Sequence, residues 1–370
     1  MAEPLKNQYG PEIPARIAAM IAAVHPSFAT ELFLVDALDG YDDLSLTQRG
    51  WAIARALHRH LPDPYPEAVE ILLGSLGPKI ESVEGAGMAP FVYLPHVFFV
   101  AEYGLGDFET SMRAQYELTQ RFTAEFSIRP FLRQHPEATL ARLTTWTQDP
   151  SHHVRRLVSE GSRPRLPWAP RLTHFQRDPA PVLALLERLK DDPSLYVRRS
   201  VANNLNDIGK DHPDLLAATA RRWLVEASPE RQWLVHHALR SAIKRGEVGA
   251  LAALGAGQQA DVVVERVTID PAVPHIGGGV TITFDLVSSA VQPQDLLVDL
   301  KIHFVKKSGR TTPKVFKIKR LNLAPGGRAS LRKTVALTAM STRQHYPGRH
   351  EVEAVVNGRS YPIGAFNLRD

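Results

Sequence analysis

Asp149-Pro150-Ser151-His152-His153-Val154-Arg155-Arg156 and Asp192-Pro193-Ser194-Leu195-Tyr196-Val197-Arg198-Arg199 carry one pattern twice. Each matched position lies 43 residues from its counterpart. A second pair of landmarks keeps the same spacing: His135-Pro136 precedes the first copy by 14 residues, and Asp178-Pro179 precedes the second by 14. His212-Pro213 and Ser228-Pro229, 16 apart, form a weaker third copy. Periods of ~40–47 residues belong to stacked pairs of helices. Each Pro is expected in the first turn of a helix, where its missing N–H costs nothing. The Asp or Ser beside it can cap the free backbone donors. The Val then packs between helices, and the Arg pair points to one face. Such pairs bury their apolar sides only by stacking, which predicts a solenoid with a concave side.

The surrounding chain agrees. Ile17, Met20, Ile21 and Val24 recur at helical spacing, as do Ala52, Ile53, Ala56 and Leu57, and Leu183, Leu186 and Leu189. Prolines cluster at breaks such as Leu61–Pro64 and Arg163–Pro170. Residues 1–254 therefore read as an all-α, HEAT-like repeat domain. Leu251–Gln259 is rich in Ala, Gly and Gln and reads as a linker. Beyond it the period becomes two. Val280, Ile282, Phe284 and Leu286 share one face of a strand. Further strands are expected at Asp261–Ile269, Leu297–Val305, Lys314–Leu323, Ser330–Thr338, His350–Val356 and Tyr361–Leu368, separated by turns such as Pro325-Gly326-Gly327 and Asn357-Gly358. This predicts an all-β, immunoglobulin-like sandwich over residues 255–370. Tyr346 is either a tyrosine corner or a loop residue.

Composition excludes several function classes. The 370 residues contain no cysteine, so disulfides, thiolate metal sites and cysteine nucleophiles are absent. The first residues lack a signal-peptide layout. The longest apolar stretch, around Phe91–Ala101, contains Pro95 and His96 and falls short of the ~18 residues of a membrane span. A soluble, cytoplasmic protein is expected. His152-His153 and His236-His237 are adjacent pairs that diverge on a helix, and no His-Glu-x-x-His is present, so no metal is expected. No Gly-rich phosphate loop or serine elbow occurs either.

The net charge of +5 is unevenly spread: residues 1–128 carry −9, 129–210 carry +6, and 258–370 carry +7. Lys301–Lys333 holds 11 Lys/Arg and no acid. On alternating strands its lysines are expected to share one face and its apolar residues the other. Protection of an edge strand explains part of such a run; contact with a phosphate backbone explains its completeness. In the helical half, arginines are dense at Arg155, Arg156, Arg163, Arg165, Arg171, Arg198 and Arg199, with isolated acids at Glu160 and Asp207 among them. An acid in a basic groove is either an ion-pair partner for arginine or a functional group for a cationic substrate. Trp146, Trp223 and Trp233 lie on helical stripes and read as core.

These motifs carry a resemblance. Glu125-Phe126-Ser127-Ile128-Arg129-Pro130-Phe131-Leu132, then Val154–Gly161 with Arg163-Pro164-Arg165-Leu166-Pro167-Trp168, then Val197–Asp207, resemble the DNA alkylation repair glycosylases built from HEAT-like repeats. With the appended β domain, the chain is most similar to the AlkC branch of the AlkD/AlkC group. The resemblance implies a monofunctional DNA N-glycosylase that removes N3-alkylated bases, chiefly 3-methyladenine and, in this branch, 3-methylcytosine. It implies action on duplex DNA without extruding the base into a deep pocket, as a cytoplasmic, nucleoid-acting monomer needing no cofactor. Carried onto this sequence, it implies Glu125, Glu160 and Asp207 as active-site acids, Trp168 as an aromatic contact at the lesion, and Arg156 as a helper beside the carboxylates. Arg155, Arg163, Arg165, Arg198, Arg199, Lys306, Lys307, Lys314, Lys317 and Lys319 are the expected DNA contacts. The alternative is a non-catalytic HEAT-repeat scaffold binding DNA or protein. A carbohydrate-binding role for the β domain fits the acid-free run poorly.

Overall fold

Helices occupy the chain as far as Ala253 and strands take over at Val262 in this computed structural model, which describes residues 5–81, 87–255, 260–339 and 344–370. The helices are α1 (Glu12–Val24), α2 (Thr30–Leu38), α3 (Leu46–His60), α4 (Tyr65–Gly74), α5 (Leu94–Tyr103), α6 (Phe108–Thr119), α7 (Ile128–Gln134), α8 (Pro136–Trp146), α9 (His152–Gly161), α10 (Thr173–Arg177), α11 (Ala180–Leu189), α12 (Leu195–Ile208), α13 (Pro213–Leu224), α14 (Pro229–Arg245) and α15 (Val248–Ala253). The strands are β1 (Val262–Asp270), β2 (Gly279–Ser288), β3 (Gln294–Val305), β4 (Thr311–Leu323), β5 (Arg328–Ala336), β6 (Gly348–Val356) and β7 (Arg359–Leu368). No helix among the described residues is long and apolar enough to cross a membrane.

The 43-residue offset carries α8 onto α11 and α9 onto α12. In space α9 packs on α12 and α8 on α11, so the two copies stack as parallel layers. The apolar stripe Val154, Leu157 and Val158 of α9 and the stripe Val197, Val201 and Leu205 of α12 are fully buried. Gly161 ends α9 against α7: a Cβ there would overlap the Ile128 side chain.

The repeat motif itself is a loop clamp. Pro150 and Pro193 sit one residue ahead of the helix N-caps, Ser151 and Ser194, rather than inside the first turn. The Asp carboxylate instead accepts the N–H of the Ser two residues on, at 2.8 Å in both copies. The first Arg of each pair folds back over the loop. Arg155 Nη1 donates to the carbonyls of Asp149 and Pro150 at 2.7 and 3.0 Å. Arg198 Nη1 donates to those of Asp192 and Pro193 at 2.6 and 2.9 Å. Arg155 then reaches across to Asp192 of the next repeat, Nε to Oδ2 at 2.6 Å. Among the other prolines of the pattern, Pro136, Pro213 and Pro229 open α8, α13 and α14 as expected, whereas Pro179 is the N-cap of α11.

The chain divides into two compact units, one running to Asp211 and the other from His212 to Asp370. The second unit therefore holds α13–α15 together with all seven strands. The expected linker is only partly one. Leu251–Ala253 complete α15, Leu251 is buried, and residues 256–259 lie outside the described residues. Arg320 Nη2 of β4 donates to the Leu254 carbonyl at 2.9 Å, tying the helical segment to the sheet.

The strands form two antiparallel sheets, β1-β2-β5 and β4-β3-β6-β7. Val280, Ile282, Phe284 and Leu286 pack against Leu296, Val298, Leu300 and Ile302, with Val352, Ala354 and Phe366 closing the core. One expectation fails on β4. An irregularity at Val298/Asp299 shifts the register, pairing Lys314 with Ile302, Lys319 with Val298, and Lys317 with Asp299. Paired residues share a face, and the extra residue flips the parity. Lys314 and Lys319 therefore lie on the side opposite Lys317, and the Lys314 ammonium stands 5.4 Å from the Phe316 ring. Tyr346 donates to the Gln344 side chain at 2.9 Å, which makes it a loop residue rather than a tyrosine corner.

Asp192 holds Arg155 as well as its own loop, whereas Asp149 caps Ser151. Asp192→Ala leaves a half-buried guanidinium unpaired and is expected to cost about 3 kcal/mol. Asp149→Ala loses one local hydrogen bond and should cost about 1 kcal/mol. Scanning calorimetry of the two variants checks the order; equal losses would rule out the inter-repeat bridge.

Candidate active site

The site is built by α7, α9 and α12, the loop before α7 and the loop after α9. Glu125 precedes α7, Arg156 and Glu160 lie one turn apart on α9, and Asp207 lies near the end of α12. A spacing of four puts Arg156 and Glu160 on one helix face. Because α9 packs on α12, that face meets Ser200 and Asp207.

Two arginines fix the acids. Arg156 Nη1 lies 2.5 Å from Glu125 Oε2 and donates to Thr123 Oγ1 at 2.9 Å, while Nη2 lies 3.6 Å from Glu160 Oε1. Its guanidinium carbon stands 5.3 Å from the centre of the Tyr196 ring. Arg163 Nη1 donates to Glu160 Oε1 at 2.6 Å, and its Nε donates to Asp207 Oδ2 at 2.8 Å. Lys210 Nζ donates to the other Asp207 oxygen at 2.8 Å, and Ser200 Oγ to Glu160 Oε2 at 2.6 Å. Glu160 and Asp207 are buried, and all their oxygens are bonded. Among the described residues, Glu125 is bonded at Oε2 only.

Charge follows from this geometry. Burial pushes the Glu160 carboxyl up, but Arg156, Arg163 and the Ser200 hydroxyl outweigh it and hold the group below its ordinary value. Burial also opposes the charge on Arg156 and Arg163, yet the facing carboxylates raise both.

Trp168 stands at the lip. It is 63% exposed and adopts φ 64°, a left-handed conformation that costs a non-glycine residue about 1–3 kcal/mol. Its loop is stapled by Arg129 of α7. Arg129 Nη1 donates to the carbonyls of Gly161 and Arg163 at 3.1 and 2.8 Å, and Nη2 to that of Pro170 at 2.5 Å. Burial pulls this guanidinium down to about 10 despite Glu125 nearby. Leu172 N–H closes the loop on the Pro164 carbonyl at 3.1 Å. The result is a cleft of about 270 Å³ lined by Phe122, Glu125, Phe126, Glu160, Arg163 and Trp168.

The structure thus brings together Glu125, Glu160, Asp207, Arg156 and Trp168. Asp207 stands behind Arg163 rather than in the cleft wall. Several expected DNA contacts are engaged elsewhere. Arg163 is buried between Glu160 and Asp207, Arg155 and Arg198 clamp loops, and Arg165 Nε pairs with Asp211 Oδ2 at 2.9 Å. Guanidinium groups this deeply placed require partners, which is why they turn inward. Arg199, Lys307, Lys314, Lys317 and Lys319 are exposed, and Lys306 is half-buried at the β3–β4 turn. Trp146 and Trp223 are core, but Trp233 is 38% exposed and stacks on His237. Among the described residues no group of His, Asp and Glu could hold a metal ion. Thr123, Ser200, Lys210 and the stapling role of Arg129 were missed from sequence; only Lys210, three residues after Asp207, left a local signal.

Comparison with known proteins follows the same lines. Residues 263–370 match a family model described as the C-terminal Ig-like domain of the uncharacterised protein YhaZ. The uncharacterized protein YhaZ of Bacillus subtilis (strain 168) is 36% identical over 355 residues, 96% of each chain. The alkylpurine DNA glycosylase AlkC of Pseudomonas fluorescens, solved bound to DNA containing an abasic site analog, is 41% identical with a TM-score of 0.90, over 100% of each chain.

Ionised Glu160 stabilises the fold because its folded pKa lies below its unfolded one. That contribution is complete above the ordinary value of 4.5 and is lost as pH falls through the lower folded value. The melting-temperature gap between the wild type and Glu160→Gln is therefore expected to be widest above pH 4.5 and to close on acidification. A gap independent of pH would place the stabilising role elsewhere.

Proposed function

We propose that this chain, a member of the AlkC branch of DNA alkylation repair glycosylases, is a monofunctional DNA N-glycosylase for N3-alkylated, cationic bases. 3-Methyladenine is the chief substrate of this reading and 3-methylcytosine the second. One observation carries it: Glu125, a carboxylate with one oxygen unbonded, lines an open cleft beside acids already fixed by buried arginines, under an exposed indole.

An N3-alkylated base carries positive charge, so its glycosidic bond is weak before any protein acts. Departure of the base leaves an oxocarbenium-like sugar, again positive. Glu125 and Glu160 stabilise that charge, and the unbonded oxygen of Glu125 orients the attacking water. Asp207 acts through Arg163, holding the guanidinium that holds Glu160. No proton needs to reach the leaving base, which agrees with a site whose buried Glu160 is held ionised by Arg156 and Arg163. Trp168 covers the deoxyribose and excludes water. Cations of the β domain, exposed Lys307 and half-buried Lys306 at the β3–β4 turn above all, contact phosphates of duplex DNA.

Methylated duplex DNA incubated with the protein is expected to yield free 3-methyladenine, identified by mass, and alkali-labile abasic sites. No base release at high protein concentration would sink the enzymatic reading and leave a DNA-binding scaffold. Glu125→Gln should slow excision by about 10²–10³-fold, the scale of losing one electrostatic contact to a transition state. Asp207→Asn, which acts only through Arg163, should slow excision less than Glu125→Gln does while leaving DNA affinity intact or improved. Lys307→Ala should weaken binding to all sequences alike and lower the salt slope by about 1; an unchanged slope would remove this turn from the interface.

A further inference from the structure

The carboxylate cleft has a neighbour. A second cavity of about 210 Å³ shares Phe126 and Trp168 with it and extends to Trp51, Phe98, Arg129 and Arg133, with exposed Glu102 as its one acid. Its character is different. Trp51 of α3 stacks on Phe98 of α5 with ring centres 4.2 Å apart and planes 2° from parallel. Phe126 meets Phe98 edge-on at 6.0 Å. Phe98 is buried, whereas Trp51 retains an exposed part, so the stack presents aromatic surface rather than closing over itself. The wall opposite cannot drift, because Arg129 staples the Trp168 loop through the Pro170, Gly161 and Arg163 carbonyls.

We infer that this aromatic slot binds the released base, a neutral, planar N-alkylated heterocycle. The inference rests on the glycosylase reading above and deepens it. When the glycosidic C1′–N bond breaks, its electron pair leaves with the base, so a cationic base becomes neutral. The positive charge passes to the sugar, where water adds to C1′ and gives up a proton. The carboxylate cleft, which favours cations, thereby loses its hold on the base and keeps its hold on the sugar. A neutral ring is better accommodated by stacking on Trp51 and by the donors of Arg133 than beside Glu125. Trp168, common to both cavities, separates the place where charge develops from the place where the uncharged product is received.

The test uses the full chain and free 3-methyladenine without DNA. Equilibrium dialysis should show saturable binding, and added 3-methyladenine should slow excision from methylated DNA. Trp51→Leu should weaken free-base binding about tenfold, the scale of losing one base–aromatic stack, and Trp51→Phe should retain most of it. Absence of saturable binding by the wild type, or binding that Trp51→Leu leaves unchanged, would overturn the proposal. So would a Trp51→Leu variant that loses DNA affinity with free-base binding intact, since the slot would then stack a base still in the duplex. Base release from methylated DNA, measured on the same wild-type preparation, reports on the glycosylase reading alone. Release without free-base binding removes the slot and leaves the enzyme standing.

Discussion

The guanidinium of Arg163 joins two repeats and the candidate site in one group. It lies buried, 2.6 Å from Glu160 of α9 and 2.8 Å from Asp207 of α12. Buried ion pairs are poor evidence of stability, because desolvation consumes most of their attraction. Their consequence here is positional. Removing any member strands another charge in the interior, so the network tolerates one arrangement. Glu160 can neither rotate nor protonate without breaking contacts to Arg156, Arg163 and Ser200 together. Preorganisation of this kind is what electrostatic catalysis requires, since charges already in place need not reorganise as the transition state forms.

The solenoid supplies the rigidity that such a cluster needs. α9 and α12 are successive layers, joined by the Arg155–Asp192 bridge at one end and by Arg163 and Asn204 near the other. Asn204 Nδ2 donates to the Ser159 carbonyl at 2.7 Å. The repeat also makes room for the one irregular element. α12 ends at Ile208 and α13 begins at Pro213, whereas α9 ends at Gly161 and α11 begins only at Ala180. The extra chain between them holds α10 and the Trp168 loop. A loop this long would be free to move if its carbonyls faced water. Arg129 collects three of them instead, and so a strained tryptophan is held at a fixed height over the acids.

Much of this was legible in the amino-acid order. The 43-residue offset located α8/α9 and α11/α12, and period-two alternation located all seven strands, because both patterns report burial directly. The acids and Trp168 were legible through their motif context. What escaped was what depends on partners distant in sequence. Nothing near Arg163 or Arg165 distinguishes a guanidinium facing phosphate from one facing Asp207 or Asp211, some 44 and 46 positions away. The lysines of β4 were misassigned because Lys314 and Lys317, three apart, fall on opposite faces of a regular strand, and one bulged residue then separates Lys317 from Lys319 as well. Trp233 was read as core because its helical stripe is apolar, yet only its neighbours in space decide that it stays exposed.

The same partners explain how acids come to line a cleft in a protein whose net charge is +5. Glu125, Glu160 and Asp207 are matched by Arg156, Arg163 and Lys210, and Arg129 beside them adds one more positive charge, so the cluster carries no net negative charge. At distances beyond the cluster's own size a polyanion senses only that sum and meets no repulsion, and past a Debye length of about 8 Å even the sum is screened. Within contact distance the distribution matters instead. The three cations are each bound to carboxylate oxygens, and the unbonded oxygen belongs to an acid. A group without net negative charge that presents a negative edge at short range attracts a cationic centre without expelling the phosphates that bring it there. The arginines are therefore not competitors of the carboxylates for the substrate's charge. They are the condition under which carboxylates can approach nucleic acid at all.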